Sequence, residues 1–336
     1  MTGPLRGLRV VEIAGTAAGA FAATLLADLG ADVTRVDRPA AAPPAPGDPL
    51  GRGRRPVTAD LKDPAGAAAV LSLVTDADVL IEGFRPGVAE RLGIGPAEAH
   101  ARNPRLVYGR VTGWGQDGPW AQRPGHDITF LALTGALLGP DADVPVAPPP
   151  YYLSSFAGGG MTLALGVLAA LQHRATTGRG QVVDAAMVEG AALLTGLVQR
   201  WREAPGVHTV TAAPFYATYA CADGRHVAVG AIEEKFYRTL VATLDLDDLP
   251  SRDDERNWPE VSRRFADAFR TRDRDDWAKI FAETDACVVP VLTLDEAATH
   301  PQAVARSSYL TVGGVTQPGP APRFRDTPEP AGDLSA

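Results

Sequence analysis

Hydrophobic and polar positions alternate between two regimes over the first 200 residues. Leu8-Arg-Val-Val-Glu-Ile13 is a short apolar run closed by a glycine-bearing turn at Gly15 to Gly19, as a buried strand would be. A helical spacing follows from Phe21 to Leu29, then a second strand pattern from Asp32 to Asp37. That is a βαβ unit, and it predicts a parallel sheet with crossover helices. The alternation continues. A helix starts at Asp63-Pro64, with proline where no first-turn N–H is needed. A strand is expected from Asp78 to Gly83, a helix over Pro96 to Arg102 and a strand from Arg105 to Thr112. Helices are predicted for His126 to Leu138 and Gly159 to Arg174, a strand for Gln181 to Asp184, and a long apolar helix for Ala186 to Trp201.

The pattern changes near Trp201. A short polar stretch, 202–213, reads as a linker between a large domain over 1–201 and a small one over 214–310. In the small domain, two short strands flank Ala222-Asp223-Gly224 within Pro214 to Ile232. Helices follow near 234–244, 258–270 and 274–283, then a strand over Ala286 to Leu292 and a helix near 294–306. Proline and glycine dominate from Pro318, so residues 311–336 are expected to form an extended tail returning to the large domain. The fold class expected is α/β.

Composition narrows the function. A chain of 336 residues has room for two domains. A net charge of −8 argues against nucleic acid as a partner. Two cysteines, Cys221 and Cys287, make neither a disulfide framework nor a metal site. The opening apolar run breaks at Glu12 and Gly15, unlike a signal peptide, and Met161 to Leu171 is too short to span a bilayer. A cytoplasmic protein without membrane association is expected.

Several groups of residues can carry chemistry. Gly15, Gly19 and Asp37 invite a dinucleotide reading, but the spacing is not G-x-G-x-x-G and Arg38 follows the acid; a tight turn explains the glycines equally well. Arg38, Arg52, Arg54, Arg55, Lys62, Arg85 and Arg91 lie at predicted strand ends or in loops, where open α/β sheets gather ligands. They form either a phosphate site or a solvated basic surface. His126 is a candidate general base, or simply a residue at a helix start with Asp127 as cap. Gly158-Gly159-Gly160, placed to open a helix, can hold an oxyanion or pack backbone against backbone. Glu233 can orient an imidazole or favour a helix N-terminus.

Ten segments in order resemble the family III CoA-transferases, and among them the α-methylacyl-CoA racemases. They include VVEIAGTAAGAFAATLLADLGADVTRVDRP, GRGRRPVTADLK, DVLIEGFRPGVAERLGIGP, GHDITFLALTG, FAGGGMTLALGVLAAL and VAVGAIEEKFY. The resemblance implies a Rossmann-like large domain, a smaller α/β domain and an interlocked homodimer acting on an acyl-CoA or related thioester. No covalent cofactor is implied; CoA enters as part of the substrate. Arg38, Ala59, Asp60, Leu61, Lys62, Gly83, Phe84, Arg85 and Arg91 match the CoA-contacting positions, and Arg52 and Gly125 to Phe130 would lie near the thioester. His126 would be one base, oriented by Glu233. The second, an aspartate immediately before Phe-Ala-Gly-Gly-Gly, is Ser155 here. In the transferases the equivalent aspartate carries the acyl group, so that route loses its nucleophile.

Three readings follow. In the first, the chain is a racemase-like isomerase that removes and returns the α-proton, with Ser155, a water or Asp127 in place of the missing acid. In the second, a single base drives a double-bond shift, a cyclisation or conjugate addition, or a decarboxylation. The third is a non-catalytic CoA-binding homologue.

Overall fold

The computed structural model describes residues 3–39, 41, 45–137, 151–196, 200, 213–324 and 326. They divide into two units, the described residues of Met1–Gly196 with Pro301–Ala336, and those of Leu197–His300. The boundary expected at 310 therefore falls at His300, and the expected linker lies outside the described residues apart from Ala213.

The first unit is built on six parallel strands: β1 (Arg9–Ile13), β2 (Asp32–Asp37), β3 (Arg54–Thr58), β4 (Val79–Glu82), β5 (Val107–Thr112) and β6 (Val182–Ala186). Their order is β3-β2-β1-β4-β5-β6. The chain winds one way from β1 to β3 and the other way from β4 to β6, leaving a crevice beyond the carboxyl ends of β1 and β4, where such sheets bind ligands.

Among the described residues, the α-helices that follow these strands are α1 (Ala17–Asp28), α2 (Pro64–Thr75), α3 (Val88–Arg91), α4 (Pro96–Arg102), α5 (Asp127–Thr134), α6 (Thr162–Thr177) and α7 (Met187–Leu194). Strand periodicity divides the core between the two sheet faces. Val10, Val33, Val79 and Val107 pack with Ala22, Leu26 and Leu163. Val11, Val36, Leu80 and Tyr108 pack with Val70, Val74 and Ile94 on the other face. Each fully buried aliphatic side chain contributes about 1.5–3 kcal/mol.

β3 has no counterpart in the sequence reading. Its run Arg-Arg-Pro-Val-Thr is polar and contains Pro56, which is acceptable only because this is an edge strand. A buried Arg54–Glu12 ion pair ties it across β2 to the central strand.

The expected helix Gly159–Arg174 is longer at both ends. A π-helix, Tyr152–Met161, runs directly into α6, and the two together span 26 residues. That helix is long and apolar enough to cross a membrane, which the run Met161–Leu171 is not; half of its most apolar window is buried, as in the core helix of a globular unit. The triple glycine thus sits inside a helix, not at its N-terminus. The close packing is backbone to backbone: a Cβ on Gly158 would stand 2.7 Å from the Ala191 nitrogen, and one on Gly190 would stand 1.9 Å from the Gly158 oxygen.

The C-terminal part is a hairpin, Tyr309–Val312 paired antiparallel with Val315–Pro318, rather than an extended strand of chain. It closes on the first unit through Gln317, whose amide bonds Arg52 and the Gly47 carbonyl.

The second unit carries β7 (Tyr216–Ala220), β8 (His226–Gly230) and β9 (Val288–Pro290) in one antiparallel sheet. Helices Glu234–Thr243, Trp258–Phe269 and Arg274–Ala282 accompany it. Its core is aromatic, with Phe215, Tyr219, Phe265, Phe269, Trp277 and Phe281 in contact. The helix expected near 294–306 is two short ones, Leu294–Thr299 in this unit and Pro301–Ala305 in the first, because Pro301 cannot continue the former.

Candidate active site

A cavity of about 440 Å³ opens in the first unit beyond the carboxyl ends of β1, β4 and β5. Thr16, Phe84, Trp114, His126, Ser155 and Met187 are among its walls. Topology thus brings together the histidine, the serine and the turn after β4, although they lie far apart in sequence.

His126 occupies the cap position before α5 with extended backbone, and Asp127 is the first helical residue. Its N–H donates to Thr129 Oγ1 at 3.0 Å, and that hydroxyl donates to the His126 carbonyl at 2.7 Å. These bonds fix the main chain and leave the imidazole exposed at the cavity. Phe130, one turn on, is buried beneath it. Gly125 is required there: a Cβ at that position would come within 2.4 Å of the Phe130 ring.

Asp127 has a different task from its neighbour. It is buried, and its Oδ1 accepts from Ser154 Oγ at 2.6 Å and from the Ser155 N–H at 2.7 Å. This carboxylate oxygen fastens the start of the π-helix to α5. The Ser155 side chain is left at the cavity, on the opposite sequence segment from His126. Insertion of π-turns at functional sites is a known habit of helices.

The turn after β4 is held from below. Glu82, fully buried, accepts from the Phe84 N–H at 2.6 Å and from Arg110 at 2.7 Å. Arg110 also reaches Glu90 on α3 at 2.8 Å. Burial pushes the Glu82 carboxyl above its ordinary value, against the pull of the Phe84 N–H and of Arg110. Burial also acts on Glu90, but there the hydrogen bond and charge of Arg110 prevail and hold its carboxyl below the usual value. Gly83, Phe84 and Arg85 therefore sit on a charged, hydrogen-bonded base. Arg110 was absent from the basic set read from the sequence. The signal was present: a lone arginine inside the apolar strand Val-Tyr-Gly-Arg-Val-Thr has to be paired.

The other expected residues are more dispersed. Arg38 is exposed just beyond β2, and Ala59 to Lys62 follow β3, with the Ala59 N–H bonded to the Asp37 carbonyl at 2.9 Å. Arg91 is exposed at the end of α3. All lie at the same edge of the sheet, but none borders the cavity.

Arg52 does not belong with them. Its side chain is buried, forms a two-pronged ion pair with Asp28 at 2.9 and 2.6 Å, and donates to Gln317 at 2.7 Å. A guanidinium so engaged is committed to the fold. Glu233 lies in the second unit, exposed, at the cap position of helix Glu234–Thr243. The segment before it is held by Arg252, which donates to the carbonyls of Ala231 and Ile232 and covers the rings of Phe215 and Tyr237 at 4.1 and 4.6 Å.

A doubly wound parallel sheet with a glycine-packed helix and a histidine at its switch-point cavity defines a class, and comparison with known proteins names it. The chain belongs to CoA-transferase family III, whose sequence profile matches residues 5–332. Among its relatives is human α-methylacyl-CoA racemase, 44% identical over 336 residues that cover 96% of this chain and 87% of the human one. Another is the succinyl-CoA–L-malate CoA-transferase β subunit of Chloroflexus aurantiacus, 36% identical over 270 residues, covering 74% of this chain and 66% of that one. Among solved structures, a CAIB/BAIF family protein from Brucella suis matches with a TM-score of 0.82 at 26% identity, over 97% of this chain and 94% of that one. Rv3272 from M. tuberculosis matches with a TM-score of 0.79 at 27% identity, over 96% and 94%. The chain is thus similar both to racemases and to transferases that act on CoA thioesters.

Proposed function

We propose that this protein is an α-methylacyl-CoA racemase-like isomerase in which His126 removes the α-proton of an acyl thioester. The observation that carries this reading is the state of the two candidate groups. The His126 imidazole faces the cavity with its main chain pinned, whereas an Asp127 carboxylate oxygen is occupied by Ser154 and Ser155. The α-hydrogen of a thioester is only weakly acidic, so a positioned base and stabilisation of the enolate oxygen are both needed. Imidazole is suited to the first task near neutral pH.

In this reading the proton leaves through His126, and no carboxylate stands at Ser155 to return one from the opposite side. Exchange is therefore faster than inversion. Ser155 cannot form the acyl anhydride of the transferases, which argues for isomerase rather than transferase activity. CoA is held by Arg38, Ala59 to Lys62, Gly83 to Arg85 and Arg91.

The assembly is a homodimer. Supporting this, Leu133, Tyr152, Leu165 and Leu193 on neighbouring helices of the first unit are each more than half exposed, and exposed apolar patches of this kind mark interfaces.

The test is deuterium wash-in with a panel of 2-methylacyl-CoA thioesters. Wild type incorporates deuterium at Cα, His126→Ala loses at least about 100-fold, and Ser155→Ala changes the rate far less, because in this reading its hydroxyl takes no part in the proton transfer. Equal exchange in wild type and His126→Ala sinks the reading. The anchored Asp127 also favours a second reading, a single-base double-bond shift, conjugate addition or decarboxylation; product analysis of the same incubations separates the two.

A further inference from the structure

The cavity contains an arginine that neither the resemblance nor the packing accounts for. Arg123 borders it on the loop leading to His126. That loop is stiff. The Arg123 N–H donates to the Trp120 carbonyl at 2.8 Å, and Trp114 Nε1 donates to the Arg123 carbonyl at 3.1 Å. Trp114 in turn stands edge-on to Trp120 and to Phe130, at 5.0 and 4.7 Å between centroids. Gln122 ties the loop to the turn after β4 through the Pro86 carbonyl at 3.0 Å. The guanidinium lies over the Trp120 ring, 4.4 Å from its centroid.

The arginines that serve the fold are paired: Arg52 with Asp28, Arg54 with Glu12, Arg110 with Glu82 and Glu90. Arg123 has no carboxylate partner among the described residues, only the ring it covers. A guanidinium stacked on an indole is weakly hydrated, held in one place and still free to donate along its edge. Arg123 is exposed at the cavity mouth, so its charge is solvated when the cavity is empty and available to an anionic group of an occupant.

We propose that Arg123 recognises a carboxylate on the acyl chain, so that the preferred substrate is the CoA half-thioester of a branched dicarboxylic acid. This rests on the acyl-thioester reading of the cavity and makes it specific. Arg38, Lys62 and Arg91, to which that reading gives the carrier's phosphates, do not border the cavity; Arg85, given to the carrier as well, lines it at the turn after β4, and Arg123 borders it together with His126 and Ser155. A carboxylate held there sits at the acyl end, on the same side as the α-carbon. A charge-assisted pair of this kind discriminates against a neutral group of the same shape by roughly 10- to 100-fold.

The experiment is equilibrium binding of methylsuccinyl-CoA and of the same thioester with its free carboxylate converted to the amide. Wild type is expected to bind the carboxylate form about 10- to 100-fold more tightly. Arg123→Ala removes that preference and leaves the amide's Kd within about 2-fold, while Arg123→Lys keeps part of it. Circular dichroism of both variants checks the fold, and the wild-type preference is itself a test that needs no variant. Equal binding of the two thioesters by wild type overturns the proposal. So does an equal loss on both in Arg123→Ala, which would put the guanidinium on the phosphates of the carrier; the pantetheine thioesters, lacking the nucleotide, would then show no loss. Deuterium exchange is followed in the same samples: a carboxylate preference without any exchange refutes the isomerase reading and leaves the role of Arg123 standing.

Discussion

Arg52→Ala separates a structural role from a substrate-binding one. Sequence comparison places Arg52 near the thioester; the structure buries it between Asp28 and the C-terminal hairpin. The two side chains of the ion pair are only 7% and 3% exposed. Truncation leaves the Asp28 carboxylate buried without its counter-charge, and removing one member of such a pair costs about 3–5 kcal/mol. The Gln317 amide oxygen and the Pro318 carbonyl each lose a donor, at 2.7 and 2.6 Å, adding roughly 1 kcal/mol apiece where water does not replace it. Water reaching Asp28 reduces the sum, so about 4 kcal/mol is expected for the first unit. For a unit of this size that lowers Tm by about 8–16 °C, read by circular dichroism. The KM for the thioester in the surviving folded fraction should stay within about 2-fold, as expected for a group outside the site. A Tm within about 2 °C of wild type, which corresponds to less than about 1 kcal/mol, together with a strongly raised KM, would refute the structural assignment and restore Arg52 to the substrate.

Two further perturbations test the fold around the site and the second unit. Gly190→Ala should destabilise by about 3 kcal/mol or more, because its Cβ would stand 1.9 Å from the Gly158 carbonyl oxygen and both partners are backbone; a melting temperature equal to wild type would show that the π-helix and α7 are not packed as described. In the second unit, hydrogen bonding to Arg274 holds the Glu296 carboxyl down at about 2, below its ordinary value of 4.5. A carboxylate depressed in the folded state stabilises above the unfolded value and loses that contribution as pH falls through the folded one. The stability difference between wild type and Glu296→Gln, followed by Trp277 fluorescence, should therefore be full at neutral pH and close between about pH 4.5 and pH 2; a gap unchanged over that range would refute the pairing.

The strand-helix alternation was legible because burial on both faces of a parallel sheet writes continuous apolar runs, as in β1, β4 and β5. β2 and α4 fall where the spacing puts them, and proline and asparagine or glycine mark several helix ends. β3 was not legible, since an edge strand buries little and its polar run carries no period. The length of the helix ending at Thr177 was also hidden. Glycine triplets normally argue against a helix interior, and only the facing elements show why three belong there: Gly158 meets the backbone of α7 at Gly190 and Ala191, Gly159 the Met187 and Ala18 side chains, and Gly160 the Ala18 carbonyl and Phe21 of α1.

The sequence by itself determined the family, through motifs whose residue types and order survive without coordinates, and it singled out His126 and Ser155 as candidates, which the fold brings to one cavity. Only the tertiary structure decided what their neighbours do. Whether Asp127, Arg52 or Arg123 is free for chemistry depends on which distant groups fold against it: Ser154 and Ser155 for the first, Asp28 and Gln317 for the second, a single indole ring for the third. Charge is a property of the residue type, but availability of that charge is a property of contacts made over long stretches of chain.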